Sequence, residues 1–457
     1  MQKGVIWTGS NDGPIYVTRD DGKTWSNVTP PGLPPGGRVQ NIEPSPHRAA
    51  TAYAAIYRFL LGDFAPYIYR TDDFGKTWTR LTDGRNGIAA DEPTRVVRED
   101  PDRAGLLYAG TEFGIYISFD NGLHWQSFQM NLPVTPVTDI KIAHKDMVLS
   151  TQGRSFWILD NLTPLHQLND KVTTSQSYLF APREAIRTAG RGGGGRGAGI
   201  QYPLTGASVD YYLAAAPSSD ITLEVLDSAG KPIRKFTSAP AEERAAAPER
   251  PAADLEAPPS EDEGGGGFRM RAGPTRLDKT PGMHRFTWDL RYPGPWMSAT
   301  RPEGPNGPAA VPGKFSLRLT VGSWTSTQPL TVVEDLRVTK DGVTTADLRE
   351  QFDHNARVRD LVSDLNKTLA RLRAAQASLR GASGAGAAKL DRLNQLASYL
   401  ITPSIRYSQP ALQTHITYLY SVTNATDQKI GRDVIERYGV LRKELDQRMA
   451  ELDQILK

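Results

Sequence analysis

The chain has 457 residues, of which 39% are hydrophobic and 23% charged, and its formal net charge is +3. Such a composition is typical of folded globular protein, and so balanced a charge does not indicate binding to nucleic acid or to an anionic membrane surface. Cysteine is absent, which excludes disulfides, thiolate catalysis and cysteine-based zinc sites, and no apolar stretch is long enough to span a bilayer.

Three similar octapeptides lie in the first third of the chain. They read "TRDDGKTW", "TDDFGKTW" and "SFDNGLHW" and end at Trp25, Trp78 and Trp125. They recur at about 50 residues, the range of repeats that build β-propellers. Short β-rich runs flank each of them, so we expect each octapeptide to be the hairpin turn between two strands.

Further strand patterns precede the second and third octapeptides. Each full repeat then has four antiparallel strands, A to D, and the octapeptide joins strand C to strand D. The first repeat shows strands B, C and D but no strand A. A fourth repeat without an octapeptide is predicted over 137–168, with its last strand at 165–168.

The pattern changes after residue 170. Residues 171–199 are predicted to be a Gly-rich linker, whose glycines lack the strand, helix and acidic residue that a nucleotide site requires. Six or seven short strands over 200–336 predict an immunoglobulin- or fibronectin-like β-sandwich, interrupted by a disordered insertion at 238–267 rich in Ala, Pro and Glu. Leucine stripes at spacings of three and four predict a bundle of four helices over 343–457.

The octapeptides resemble the Asp-box, or bacterial neuraminidase (BNR), repeat. The wider pattern, including "STQGRSFWILDN", resembles the large bacterial sortilin-like and glycosyl-hydrolase-like BNR repeat proteins. The resemblance implies that the box is a structural turn, away from the face that binds ligand. Its structural residues here are Asp20, Gly22, Trp25, Asp73, Gly75, Trp78, Asp120, Gly122 and Trp125.

We therefore expect a mainly β fold. It starts with a partial Asp-box propeller of about four blades over 1–170, the first lacking its inner strand, and continues with the sandwich and the helical bundle. We also expect the chain to be the C-terminal part of a longer protein. Missing N-terminal blades or a partner chain would complete the propeller, and an export signal in the missing part would make the protein secreted or periplasmic.

Candidate site residues lie in the turns between strands B and C, at the end opposite the octapeptides. Asp12, Asp63 and Glu112 recur at matching places in successive repeats, and paired carboxylates are what a glycoside hydrolase needs. The neighbouring candidates for ligand binding are Tyr16, Phe64, Tyr67, Phe113, Arg154 and Phe156. The acidic residues either recur because turns favour them, or line an acidic, aromatic rim suited to sugars or cationic peptides.

Three functions remain open from the sequence. The first is an exported protein that binds a glycan or peptide on the face opposite the Asp boxes. The second is a glycoside hydrolase of the two-propeller, xyloglucanase-like type, and the third is a structural or assembly protein. Motifs of zinc proteases, serine hydrolases and Walker-type nucleotide sites are absent and the seven histidines are scattered, so no cofactor or metal is predicted.

Overall fold

The computed structural model describes residues 2–188, 205–239, 276–403, 405 and 407–457. The chain forms two compact units, Met1–Leu168 and Asn169–Lys457. Most of its elements are β-strands, accompanied by seven α-helices in the described part of the chain. None of these helices is long and apolar enough to cross a bilayer.

Four antiparallel sheets make up the first unit, in chain order. The first sheet contains β1 (Ile6–Gly9), β2 (Ile15–Thr18) and β3 (Ser26–Asn27). The second contains β4 (Arg38–Pro44), β5 (Ala52–Arg58), β6 (Asp63–Thr71) and β7 (Thr79–Arg80). The third contains β8 (Thr94–Glu99), β9 (Leu107–Thr111), β10 (Ile115–Ser118) and β11 (Gln126–Ser127). The fourth contains β12 (Val137–Ala143), β13 (Asp146–Thr151) and β14 (Phe156–Leu159).

These sheets follow the predicted repeat of strands A to D. Each octapeptide joins a C strand to a short D strand, and the first sheet begins with strand B. The strand predicted at 165–168 is wrong, because this segment lies mostly in helix α1 (Thr163–Gln167). Proline is favoured in the first turn of a helix, and Pro164 occupies that place.

Apolar clusters fill the space between successive sheets. Strand C of each sheet turns alternate residues toward the next sheet, as a pleated strand must. Ile15 of the first sheet shares a cluster with Ala54 and Tyr69 of the second. Ile68 of the second sheet shares another with Tyr116 of the third. The first unit is thus a row of sheets packed face to face.

The second unit starts with helix α2 (Asp170–Thr173) and two sheets. One sheet has the order β15 (Ser177–Leu179), β17 (Ala207–Leu213), β20 (Gly282–Trp288). The other has the order β16 (Ala185–Arg187), β22 (Trp324–Glu334), β21 (Gly313–Val321), β18 (Ile221–Leu226), β19 (Pro232–Thr237). Only β16 and β22 pair in parallel among the described strands of this unit. Residues of both sheets share one apolar core that includes the fully buried Trp288.

Helices complete the second unit. After the short α3 (Leu336–Lys340) come four longer helices: α4 (Thr345–Ser378), α5 (Ala385–Leu400), α6 (Leu412–Asn424) and α7 (Arg432–Leu456). Thr344 and Asp347 form a capping box at the start of α4, which satisfies amide groups that would otherwise lack partners. The predicted leucine stripes meet in a single apolar cluster between the four helices.

Two sequence predictions fall partly outside the described residues. The linker was predicted over 171–199. Its described part ends at residue 188 and contains most of α2 and the strands β15 and β16, whereas 189–199 lie outside the described residues. Of the predicted insertion, 238–267, only residues 238 and 239 are described.

Candidate functional site

The aspartate of each octapeptide is hydrogen-bonded within its own turn. Asp20 Oδ1 accepts from the Thr18 hydroxyl at 2.7 Å and from the Thr24 amide at 2.9 Å, while Oδ2 accepts from the Thr24 hydroxyl at 2.7 Å. Asp73 and Asp120 repeat this pattern in the second and third turns. The three carboxylates therefore lie in three separate turns, an arrangement that supports a turn-stabilising role.

These bonds predict an acid-sensitive contribution to stability. Hydrogen bonds from the Thr24 amide and hydroxyl lower the pKa of Asp20 to about 2. A lowered folded-state pKa adds stability that is fully present above the unfolded pKa of about 3.9 and is lost as the pH falls through about 2. We expect Asp20→Asn to lower the urea midpoint near neutral pH, and this difference to shrink below about pH 4.

The measurement is urea unfolding between neutral pH and about pH 2, with Asp12→Asn as the control variant. A difference between wild type and Asp20→Asn that stays constant over this range would contradict a charge-dependent role.

The tryptophans of the second and third octapeptides each contact the preceding sheet in chain order. Trp78 Nε1 donates to the Val28 carbonyl at 2.6 Å, and Trp125 Nε1 donates to the Leu81 carbonyl at 3.1 Å. Trp25 differs, because its Nε1 donates at 3.1 Å to a carbonyl within its own turn. The octapeptides thus both close a hairpin and link neighbouring sheets.

The turns between strands B and C lie at the opposite end of each sheet. They meet the start of an A strand: the Val39 amide of β4 donates to the Ser10 carbonyl at 3.0 Å, and the Gln152 amide donates at 2.9 Å to the carbonyl of Pro136, just before β12. This end contains the turns 10–14, 59–62, 112–114 and 152–155 and the strand ends beside them, and we name it the B–C rim.

Asp63 is tied to an arginine at this rim. Its Oδ2 accepts from Arg58 Nε at 2.7 Å and from the Tyr67 hydroxyl at 2.8 Å, and its Oδ1 accepts from the Ala65 amide at 3.2 Å. Burial favours the neutral carboxyl, but the hydrogen bonds from Arg58, Tyr67 and Ala65 outweigh it and lower the pKa of Asp63. Asp63 is therefore ionised at neutral pH and engaged by cationic and hydroxyl donors.

Glu112 has the same kind of partner. Its Oε1 accepts from Arg95 Nε at 2.6 Å. Arg95 also donates to Gln152 Oε1 at 3.2 Å, and its guanidinium lies 5.5 Å and 5.7 Å from the ring centroids of Tyr57 and Phe59. This one guanidinium joins the rim turns of the second, third and fourth sheets.

The predicted aromatic residues divide between the rim and the interior. Phe64 and Phe113 are about half exposed; Phe64 lies at the start of β6, and Phe113 lies in the turn between β9 and β10. Tyr67 is buried, and its hydroxyl is used by Asp63. The rim therefore exposes two phenyl rings, each next in sequence to the carboxylate of an arginine–carboxylate pair.

The other predicted site residues form no hydrogen bond or ion pair with the two arginine–carboxylate pairs in the described part of the chain. Asp12 is exposed in the turn between β1 and β2, and Arg154 is exposed in the turn between β13 and β14. Tyr16 and Phe156 occupy the C strands of the first and fourth sheets, and both are exposed.

Sequence reasoning missed the two arginines. Strand register relates Arg58 directly to its partner, because it pairs with Asp63 between β5 and β6, whereas Arg95 lies at the irregularity between Thr94 and Val96 of β8 and reaches Glu112 only through its side chain. A general acid for glycoside hydrolysis needs a raised pKa, whereas the pKa of Asp63 is lowered. Asp63 with these hydrogen bonds consequently does not suit the role of proton donor.

A second polar cluster surrounds the buried Asp100. One oxygen each of Asp100 and Asp102 and one ring nitrogen of His166 lie within 4.8 Å of one another, a spacing that could hold a metal ion. Asp100 Oδ2 already accepts from the Tyr108 hydroxyl at 2.9 Å and lies 3.0 Å from His166 Nε2, and Oδ1 accepts from two backbone amides. Both oxygens are satisfied, so we interpret the cluster as an internal link between the third sheet and α1.

The second unit contains a polar cavity where its sheets meet its helices. Its lining includes Arg187, Arg291, Gln351, Asn424 and Asp427. Arg187 Nη2 lies 2.8 Å from Asp427 Oδ1, and the side chains of this pair are 5% and 6% exposed. Arg187 also donates to the Ala310 carbonyl at 3.1 Å. The cavity is thus built around a buried, multiply bonded ion pair.

Comparison with known proteins gives two partial relatives, and no protein-family model matches the chain. The oligoxyloglucan-reducing end-specific xyloglucanase of Emericella nidulans is 33% identical over 118 residues, which are 24% of this chain and 13% of that protein. The vacuolar protein sorting/targeting protein 10 of Laccaria bicolor is 37% identical over 113 residues, 23% of this chain and 7% of that protein. Matches over so small a share of these proteins do not assign their activities to this chain.

Both relatives fall within the groups that the octapeptides resemble, and the similarity supports a β-propeller family. A solved structure described as YCF48 bound to D1 peptide shares 16% identity and a TM-score of 0.27, over 35% of this chain and 48% of that one. A TM-score this low does not indicate a shared fold.

Proposed function

We propose that this chain is an Asp-box propeller protein that binds a glycan or a peptide at its B–C rim. The observation that carries the proposal is the pair of half-exposed phenyl rings, Phe64 and Phe113, each next in sequence to the carboxylate of an arginine pair, Arg58–Asp63 or Arg95–Glu112. Sugars stack on aromatic faces and hydrogen-bond to carboxylates and guanidinium groups, so a glycan fits this surface best.

The architecture belongs to the same proposal. The four sheets of the first unit are about four Asp-box blades, the two sheets of the second unit are an immunoglobulin- or fibronectin-like sandwich, and the helices are a C-terminal bundle. In this proposal the chain is part of a longer, secreted or periplasmic protein, in which further blades or a partner chain complete the propeller. A structural role would then fall to the sandwich and the bundle.

Glycoside hydrolysis is the second candidate, and the similarity to a xyloglucanase favours it. Asp63 and Glu112 would be the carboxylates. The lowered pKa of Asp63 counts against its use as the acid, and its arginine partner would have to be displaced before it could serve as a base.

The experiment is titration calorimetry of the chain with xyloglucan oligosaccharides, together with an assay for released reducing ends. We expect saturable binding without turnover. Phe113→Ala should weaken it roughly tenfold, the contribution of about one stacked ring. Leu123→Ala, at an exposed residue in the third octapeptide, is the matched control.

If reducing ends are released, and if Asp63→Asn and Glu112→Gln abolish this release, the function is hydrolysis and not binding alone. Saturable binding of a cationic peptide, weakened by Phe113→Ala while oligosaccharides fail to bind, would identify a peptide as the ligand. Binding that is unchanged in Phe64→Ala and Phe113→Ala would contradict the rim as the site.

A further inference from the structure

One histidine of the second unit is completely buried. His354 lies on α4 and is 0% exposed. Neither Nδ1 nor Nε2 of its ring has a hydrogen-bond partner. The large majority of buried polar side chains are hydrogen-bonded, because a buried group without a partner has lost water and gained nothing in its place. A buried imidazole with two unpartnered nitrogens is therefore a feature that needs a physical account.

The immediate neighbours of His354 cannot stabilise a positive charge on its ring. From α7 the Tyr438 ring faces the imidazole, with the two ring centroids 6.1 Å apart. The guanidinium of Arg357, one turn further along α4, lies 5.5 Å from the centroid of that same tyrosine. Among the described residues Arg357 is the charged group that acts on His354, and it repels a second positive charge.

The other helices around α4 supply no counter-charge either. Apolar side chains form the contribution of α5 to the shared core, and the hydroxyl of Tyr420 on α6 donates to the Asn306 carbonyl at 2.6 Å. All residues of the four long helices are described, and none of their carboxylates is buried. Their buried polar side chains are those of Gln351, His354, Asn355, Thr368 and Thr423. Of these five, only the histidine takes up a proton near neutral pH.

Burial sets the direction in which this group affects stability. It favours the neutral ring, and the charge of Arg357 adds to the effect, so the pKa of His354 is lowered from its ordinary value of about 6.5. In the unfolded chain the ring regains water and binds a proton more readily. The stability that the neutral ring preserves is therefore fully present above about pH 6.5 and is lost as the pH falls below this value.

We propose that His354 makes the packing of the four long helices sensitive to mild acid, because α4 separates from α7 when the ring takes up a proton. The proton places an unpaired positive charge in an apolar core, beside Arg357 and without an acceptor. This charge regains water only when the helices part. Histidine suits such a switch, since it is the side chain whose charge ordinarily changes between about pH 5 and 8.

Two substitutions of His354 test the proposal. His354→Leu replaces the ring by an apolar side chain, and His354→Gln keeps a polar side chain that stays neutral. The measurement is urea unfolding combined with peptide-resolved hydrogen exchange in α4 and α7, between about pH 7.5 and about pH 5. Below about pH 6.5 the unfolding equilibrium constant of the wild-type second unit should rise by up to tenfold for each pH unit, because one proton is taken up. Both variants should lose this dependence.

His415→Gln is the matched control, because His415 lies on α6 of the same unit and is only partly buried. We expect this variant to keep the pH dependence of the wild type. The octapeptide aspartates do not interfere, since their effect on stability lies below about pH 4 and belongs to the first unit.

Nuclear magnetic resonance of the chain labelled at histidine Cε1 follows the ring itself. The signal that is missing from His354→Leu belongs to His354, and in the wild type it should titrate below about pH 6.5. Arg357→Gln removes the neighbouring positive charge and should raise the midpoint of this titration. A role of His354 in packing alone would not produce such a shift.

An equal pH dependence of stability in the wild type and in both His354 variants would overturn the proposal. So would a His354 signal that titrates at or above about pH 6.5 in the folded chain, since the core would then accept the charge at no cost. A dependence that His415→Gln removes and His354→Gln keeps would also overturn it. None of these measurements uses the ligand of the B–C rim, so their outcome is independent of the proposed binding function.

Discussion

Replacing Arg187 by methionine should lower the free energy of unfolding of the second unit by about 3–5 kcal/mol. The substitution leaves the Asp427 carboxylate without the guanidinium that lies 2.8 Å from it, in surroundings where its side chain is 6% exposed. It also removes a donor to the Ala310 carbonyl and one to Gln351 Oε1. A buried charge without a partner costs far more than the intact pair contributes, because it has lost water and gained nothing in return.

The double variant Arg187→Met with Asp427→Leu is the matched control. It removes both charges, so we expect it to regain most of the lost stability. Urea unfolding combined with peptide-resolved hydrogen exchange reports on the second unit separately from the first. A double variant as unstable as Arg187→Met would show that lost packing, and not the unpaired carboxylate, is the cause.

Replacing Trp125 by alanine should lower the free energy of unfolding of the first unit by about 3–5 kcal/mol, whereas Trp25→Ala should cost only about 1 kcal/mol. The two residues end equivalent octapeptides. Trp125 is buried against the second sheet and bonds to the Leu81 carbonyl, while Trp25 is half exposed and bonds within its own turn. The difference between the two losses of stability measures what the contact between neighbouring sheets contributes, separately from the turn.

Hydrogen exchange in β6 and β9 is the measurement, because these strands belong to the two sheets that Trp125 joins. Protection should fall in both strands with Trp125→Ala and in neither with Trp25→Ala. Equal losses in the two variants would mean that tryptophan acts within the octapeptide turn and not between sheets.

Local chemistry made the turns of the first unit predictable. A Ser or Thr, an Asp and a Gly at fixed spacing can satisfy only a small set of backbone groups, and the three turns show the same bonds from Asp20, Asp73 and Asp120. The strands beside them, and the helices of the second unit, follow from apolar spacing. The same reasoning was wrong at 165–168, where Pro164 and the following residues start a helix instead of an outer strand.

The candidate site was predictable only in part. The repeat located Asp63 and Glu112 at corresponding places, but their partners Arg58 and Arg95 lie on neighbouring strands. Arg58 meets Asp63 through the strand register, whereas Arg95 reaches Glu112 only through its side chain. Tyr67 was predicted to contact ligand, yet it is buried beneath Asp63. Whether a residue in or near a turn is exposed or buried depends on side chains from other parts of the chain.

The amino-acid sequence by itself determined the repeated hairpin turns, most of the strands and the four long helices, because each depends on neighbours within a few positions. The tertiary structure alone decided which carboxylates are neutralised by arginine, that Trp125 is covered while Trp25 is not, and that Arg187 meets Asp427 from far along the chain. These properties depend on burial and on distances between segments, and only the packed sheets and helices set those.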